Sequence, residues 1–167
     1  MPADEHRARA PRTVRVFVLT VSDTRTDATD TSGQAARELC VAAGHEVVGY
    51  RILKDEPAEV RGLVADLCAG GTVDAILLNG GTGLSRRDST YEAIVGLLAK
   101  QLDGFGELFR MLSFAAIGPA AMLSRATAGV CGGVVVFATP GSTAAVRLAL
   151  EQLILPELGH VVAEVRR

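Results

Sequence analysis

Residues 73–92 read VDAILLNGGTGLSRRDSTYE. An apolar run reaches Asn79, gives way to Gly80, Gly81, Thr82 and Gly83, and is followed by Arg86, Arg87, Asp88 and a helix-start pattern. An apolar run of this length is expected of a strand buried on both faces of a parallel sheet. Ser89 and Glu92 stand at capping-box spacing, so a helix is predicted to open there. Strand, glycine loop and helix in that order form one half of an α/β unit.

The rest of the chain repeats the alternation. Residues 14–21, VRVFVLTV, read as a first buried strand, and 32–43 as a helix stopped by Gly44. Residues 46–53 read as a strand and 57–69 as a helix, with Pro57 in its first turn and Gly70-Gly71 at its end. Residues 105–114 read as a helix, 134–138 as a buried strand, and Ser142 as the start of a last helix that Pro156 kinks or interrupts. The prediction is a mostly parallel sheet covered by helices on both faces. Residues 1–12 read as a flexible tail and 13–167 as a single domain.

Composition narrows the function. The chain has 167 residues, 49% of them hydrophobic, which suits one domain with a substantial core. A net charge of -2 supplies no basic field for nucleic acid, and interleaved aromatics are missing. Cys40, Cys68 and Cys131 form no CxxC pair, and His6, His45 and His160 form no HExxH or Cys/His cluster. Three buried reduced thiols are expected instead of zinc. The start, MPADEHRARAPRT, has no signal-peptide pattern, and no apolar run is long enough to span a bilayer. A cytoplasmic protein without membrane contact is the expectation.

The glycine loop lies where open α/β sheets bind ligands, at the carboxyl end of a strand. Its backbone N–H groups would converge on an anion. Gly83 is followed by Leu84, which excludes a phosphate loop of the Gly-Lys-Ser/Thr kind, and Arg86 falls where a dinucleotide fingerprint needs its third glycine. Alternatively, the glycines only turn a tight corner. Thr139, Pro140, Gly141 and Ser142 end a second strand in the same way, and Ser142 is either a phosphate ligand at a helix N-terminus or an ordinary cap. Asp55 and Asp88 also follow strand-like segments. Asp55 would cap the helix containing Pro57, and Asp88 would be a helix-start acid or a partner of Arg86 or Arg87; otherwise a Mg²⁺ between carboxylates and phosphate removes their repulsion.

The segments LTVSD (19–23), DTSG (30–33), AGHEVV (43–48), NGGTGLSRRD (79–88), GFGELFRMLSF (104–114), SRATAG (124–129) and PGST (140–143) resemble, in order and spacing, the MoaB/MogA proteins of molybdenum cofactor biosynthesis, and most closely the MoaB branch. Asn79 stands where that family often has threonine. The resemblance implies a three-layer α/β/α molybdopterin-binding domain that transfers AMP from Mg-ATP to the terminal phosphate of molybdopterin, releasing pyrophosphate. By position, Asp55 and Asp88 would organise Mg²⁺ and the reacting phosphates. Gly80, Gly81, Thr82 and Gly83 would hold nucleotide or pterin phosphate, and Pro140, Gly141 and Ser142 the pterin phosphate. Ser22, Asp23, Ser113 and Arg125 would line the pocket, unless Arg125 pairs with a structural acid. The resemblance also implies a trimer or hexamer, with the apolar segment holding Phe105, Leu108, Phe109, Met111 and Leu112 in an interface or in the core, and a separate metal-insertion protein as a possible partner. The rival expectations are a molybdopterin-binding scaffold without catalysis and a CinA-like nucleotide hydrolase. Retention of both acids opposes the first, because a simple anion binder gains little from two extra carboxylates.

Overall fold

The computed structural model describes residues 10–167, so the expected tail, residues 1–12, falls almost wholly outside them. Three strands have every residue, or all but one, buried: β1 (Arg15–Val21), β3 (Ala75–Asn79) and β6 (Val134–Thr139). They lie side by side and parallel, with β2 (Glu46–Leu53) parallel to β1 at one edge. Alternation along each strand divides the core in two. Val16, Val18, Leu77, Val135 and Phe137 face α1 (Thr31–Ala42), α4 (Asp103–Ile117), α5 (Thr143–Ala149) and α6 (Leu155–Val165). Phe17, Leu19, Ile76, Leu78 and Val136 face α2 (Pro57–Ala69) and α3 (Thr90–Val95). The fold is the expected three-layer α/β/α sandwich.

Some details differ from expectation. Among the described residues the sheet has six strands and is mostly parallel, as expected, with an antiparallel edge that was not expected: β5 (Thr127–Cys131) runs antiparallel to β6, and the two-residue β4 (Lys100–Gln101) antiparallel to β5. Cys131 pairs with Val134 across Gly132 and Gly133, whose φ values of 57° and 83° suit a two-residue hairpin matched to the strand twist. The last helix is interrupted near Pro156, as expected, its α-helical turns stopping at Ala149 and resuming at Leu155. A π-helical turn over Leu150–Ile154 precedes Pro156, joins α5 to α6 and widens the coil where the proline removes a donor. The Ser89–Glu92 capping box does not form, nor does Asp55 cap α2, where Glu56 holds the cap position without a side-chain bond. Both residues have partners distant in sequence, described below.

Other expectations hold. All three cysteines are buried free thiols, and burial pushes Cys40 and Cys68 up to about 12, so both stay protonated and unreactive at neutral pH. No helix among the described residues is long and apolar enough to cross a membrane. The apolar stripe of α4 divides: Phe105 and Phe109 enter the core, whereas Leu108, Met111, Phe114 and Ile117 are exposed.

At the amino end of β3 a buried carboxylate ties the sheet to the C-terminal helix. Asp74 Oδ1 accepts from Arg15 Nη2 and Arg166 Nη2, both at 2.7 Å, and Oδ2 from the Arg15 amide at 2.9 Å. Burial alone would raise its pKa, but these charged and backbone donors outweigh it and hold it down at about 2. The carboxyl of the unfolded chain titrates near 3.8, so the stabilisation is complete above that pH and disappears as pH falls towards 2. Asp74→Asn is expected to cost about 2 kcal/mol at neutral pH. Urea unfolding of both proteins at pH 7 and pH 2.5 checks this: the gap should shrink in acid, and a gap independent of pH would refute the assignment.

Candidate functional site

Asn79 and Thr139 are paired across β3 and β6, so both chains leave the sheet at one edge. The approach there is backbone against backbone. The Gly80 amide donates to Thr139 O at 3.0 Å, Gly80 has φ 100°, and a Cβ on it would overlap the Val21 carbonyl. A Cβ on Gly141 would lie 3.1 Å from Gly80 Cα. Gly81, with φ 67°, is wedged against Asp55: its Cβ would stand 2.6 Å from Asp55 Oδ2 and would also collide with Thr90 Oγ1. L side chains have no room in this crossing of strand ends.

The loop that results has its carbonyls and amides sorted. Gly81 O accepts from the Thr90 amide at 3.0 Å. Arg125 donates through Nε to Thr82 O at 3.2 Å and Gly83 O at 3.1 Å, and through Nη2 to Gly83 O at 2.6 Å and Asp88 O at 3.3 Å. It also pairs with Glu92, whose pKa it lowers, and its guanidinium lies 5.0 Å from the Tyr91 ring centre. The amides of Gly81, Thr82 and Gly83 have no acceptor among the described residues. Unpaired amides side by side form a cradle for an anion.

That cradle lines a cleft of about 360 Å³, together with Asp88, Ser113 and the residues Pro140, Gly141 and Ser142. Phe109, Ile117, Ala121 and Leu123 give it an apolar wall. Ser142 caps α5, its Oγ accepting from the Ala145 amide at 3.1 Å while its own proton stays available. Larger hollows, about 440 Å³ beside Arg110 and about 510 Å³ between β4 and α6, contain no strand-end glycine.

Of the sequence candidates, Gly81, Thr82, Gly83, Asp88, Ser113, Pro140, Gly141 and Ser142 meet in this cleft. Gly80 is buried beneath it. Asp55 sits directly behind Gly81, only 6% exposed, its Oδ1 accepting from Ser89 Oγ at 2.6 Å and the Ser89 amide at 3.2 Å. Asp88 pairs with neither Arg86 nor Arg87; its Oδ2 accepts from the Ser85 amide at 3.0 Å. Ser22 turns away to the amides of Thr24 and Arg25. Asp23 takes Arg87, which lowers its pKa, and Arg125 is the clip behind the loop.

Asp55 Oδ2 and Asp88 Oδ1 accept no hydrogen bond from the described residues, which leaves one carboxylate oxygen behind Gly81 and one on the residue that lines the cleft. No group of three or more His, Cys, Asp or Glu among the described residues could hold a metal ion. One or two carboxylates without a closed cage fit Mg²⁺ arriving on a polyphosphate.

Sequence reasoning missed a polar knot beneath the cleft. Buried Asp30 accepts from Tyr50 Oη at 2.5 Å and the Gly33 amide at 3.0 Å. Ser32 Oγ donates to Asn79 Oδ1 at 2.8 Å, and Asn79 Nδ2 to Thr20 Oγ1 at 3.0 Å. Burial would raise the Asp30 pKa, but these donors keep it below the ordinary carboxylate value. A side chain from each of β1, β2 and β3 is thereby tied to the start of α1. The DTSG motif was the available signal.

Residues 17–160 match the family described as a probable molybdopterin binding domain. The molybdenum cofactor biosynthesis protein B of Halalkalibacterium halodurans is 52% identical over 166 residues, covering 99% of this chain and 98% of the relative. That of Bacillus subtilis is 52% identical over 168 residues, covering 100% and 99%. A crystal structure of a molybdenum cofactor biosynthesis protein B superposes with a TM-score of 0.91 at 51% identity, over 95% of this chain and 99% of that one. The tungsten cofactor synthesizing protein MoaB of Pyrococcus furiosus gives 0.83 at 40% identity, over 95% and 100%. Sequence, fold and cleft therefore agree, and the chain belongs to the MoaB/MogA family of molybdenum cofactor biosynthesis proteins.

Proposed function

We propose that the protein adenylylates molybdopterin. An oxygen of the terminal phosphate of molybdopterin attacks the α-phosphorus of ATP, the bond between that phosphorus and the bridging oxygen to the β-phosphate breaks, and pyrophosphate leaves. The observation that carries this reading is the row of unpaired amides at Gly81, Thr82 and Gly83, lining a cleft shared with Ser142 and Asp88. Two reacting phosphates repel each other, so the site's work is positioning and charge neutralisation.

The amides bind one phosphate without adding net charge to the cleft. Ser142 donates its hydroxyl proton to the pterin phosphate while its lone pair keeps α5 capped. The apolar wall at Phe109 and Leu123 receives the flat part of the substrate and excludes water. Asp88, and Asp55 behind Gly81, would hold Mg²⁺ through their free oxygens. When bound, the ion neutralises the triphosphate and eases departure of pyrophosphate.

The purified protein, molybdopterin, ATP and Mg²⁺ should together yield adenylylated molybdopterin, detected by mass. Molybdopterin binding without that product would make the protein a scaffold, the reading that Asp55's burial against Ser89 favours. Asn preserves the shape of Asp, and Asp88→Asn should lower single-turnover rate on the order of a hundredfold. Pterin affinity should stay level or rise. Asp55→Asn should behave alike, with one oxygen still accepting from Ser89. Ser142→Ala should show the opposite split, losing about tenfold in molybdopterin affinity with ATP affinity unchanged. Wild-type rates in both Asp variants would overturn the mechanism.

A trimer or hexamer belongs to the same reading, because the exposed Leu108, Met111, Phe114 and Ile117 form an apolar face that water disfavours. Light scattering at micromolar concentration should return a multiple of the chain mass, and a monomer would refute it.

A further inference from the structure

We propose that Asp23 and Arg87 are a positioning pair that fixes the distance between the two acid-bearing loops. Asp23 follows β1, Asp55 follows β2, and Arg87 immediately precedes Asp88 in the loop after β3. These are three neighbouring strands, with β1 in the middle. One carboxylate joins the loops at their tips. Asp23 Oδ1 accepts from the Asp55 backbone amide at 3.1 Å and from Arg87 Nη2 at 3.0 Å, while Oδ2 accepts from Arg87 Nε at 3.0 Å. Arg87 Nη2 also reaches Glu56 Oε1 at 2.9 Å, on the far side of Asp55.

The guanidinium fork matches a carboxylate in two parallel bonds, which fixes direction as well as distance. Lysine offers charge without that direction. Arg87 is 57% and Asp23 37% exposed, and pairs so exposed contribute little to stability. What this one does instead is to hold the Asp55 amide and the residue next to Asp88 on a single group. Its geometry therefore bears on where the two carboxylates stand and little on whether the chain folds. The charge of Arg87 is thereby committed to Asp23 and Glu56.

The proposal rests on adenylylation at this cleft, and its test separates the two. Hydrogen exchange at the Asp55 amide and across Gly81–Gly83 would be compared in the wild type, Arg87→Gln and Arg87→Lys, with and without Mg-ATP. Single-turnover adenylylation and urea unfolding would be followed on the same samples. Arg87→Gln should exchange faster at Asp55 and lose roughly ten- to a hundredfold in rate, since displacement near 1 Å costs that much. Its molybdopterin affinity should stay within about twofold of wild type, and its unfolding midpoint should not move. Arg87→Lys should recover part of the rate. Wild-type exchange at Asp55 in Arg87→Gln would overturn the pair, and so would faster exchange with an unchanged rate. A wild-type protein that makes no product would defeat the adenylylation reading alone, because exchange at Asp55 would still decide whether the pair holds the loops.

Discussion

The carboxyl end of the sheet depends on one steric fact: three parallel strands deliver their chains so close together that backbone must pack on backbone. Gly80 fits beneath the Val21 carbonyl, Gly141 fits against Gly80, and Gly81 fits between Asp55 and Thr90. An L residue at Gly80 or Gly81 would also sit at positive φ, which costs about 1 kcal/mol or more before any collision. The absence of side chains does more than allow the turn. It leaves the amide edge of the loop bare along a cleft, and bare amides are donors that attract phosphate without bringing a counter-charge.

A loop of bare amides also has bare carbonyls, and a buried unpaired carbonyl costs about 1–3 kcal/mol. Arg125 resolves this from behind by donating to the carbonyls of Thr82, Gly83 and Asp88. Asp55 stabilises the start of α3 through Ser89, and the Asp30 knot fixes Asn79 where the loop begins. The other charged residues around the cleft thus act mainly on protein groups, and the surface offered to substrate consists of glycines, hydroxyls, an apolar wall and the carboxylate of Asp88. This arrangement suits a reaction between two anions, in which fixed negative groups must stay few and well placed.

The central strands and both glycine loops were legible because their signals are local. A strand buried on both faces is apolar along nearly its whole length, as β1, β3 and β6 are apart from Arg15, Thr20, Asn79 and Thr139, and glycine at a strand end marks positive φ or close approach. β4 and β5 were not legible: one has two exposed residues, and the other is built on Thr127, Ala128 and Gly129, with little bulk to reveal a pattern. The Gly132-Gly133 hairpin signal was available and would have disclosed the antiparallel edge. Partner choice was hidden for a different reason. Ser89 and Glu92 matched a capping box, yet Ser89 bonds a carboxylate 34 positions away and Glu92 an arginine 33 away. Local spacing proposes the nearest partner, and the fold supplied distant ones.

The claim that the glycine crossing makes the site is tested most directly by two matched substitutions. Gly44 and Gly81 have φ of 86° and 67°, so alanine strains both backbones, but only at Gly81 does the new methyl meet protein atoms. Single-turnover adenylylation of Gly81→Ala and Gly44→Ala, each verified as folded by circular dichroism, separates strain from obstruction. The account predicts that Gly44→Ala keeps the wild-type rate and Gly81→Ala loses on the order of a hundredfold or more. Equal rates in the two variants would contradict it.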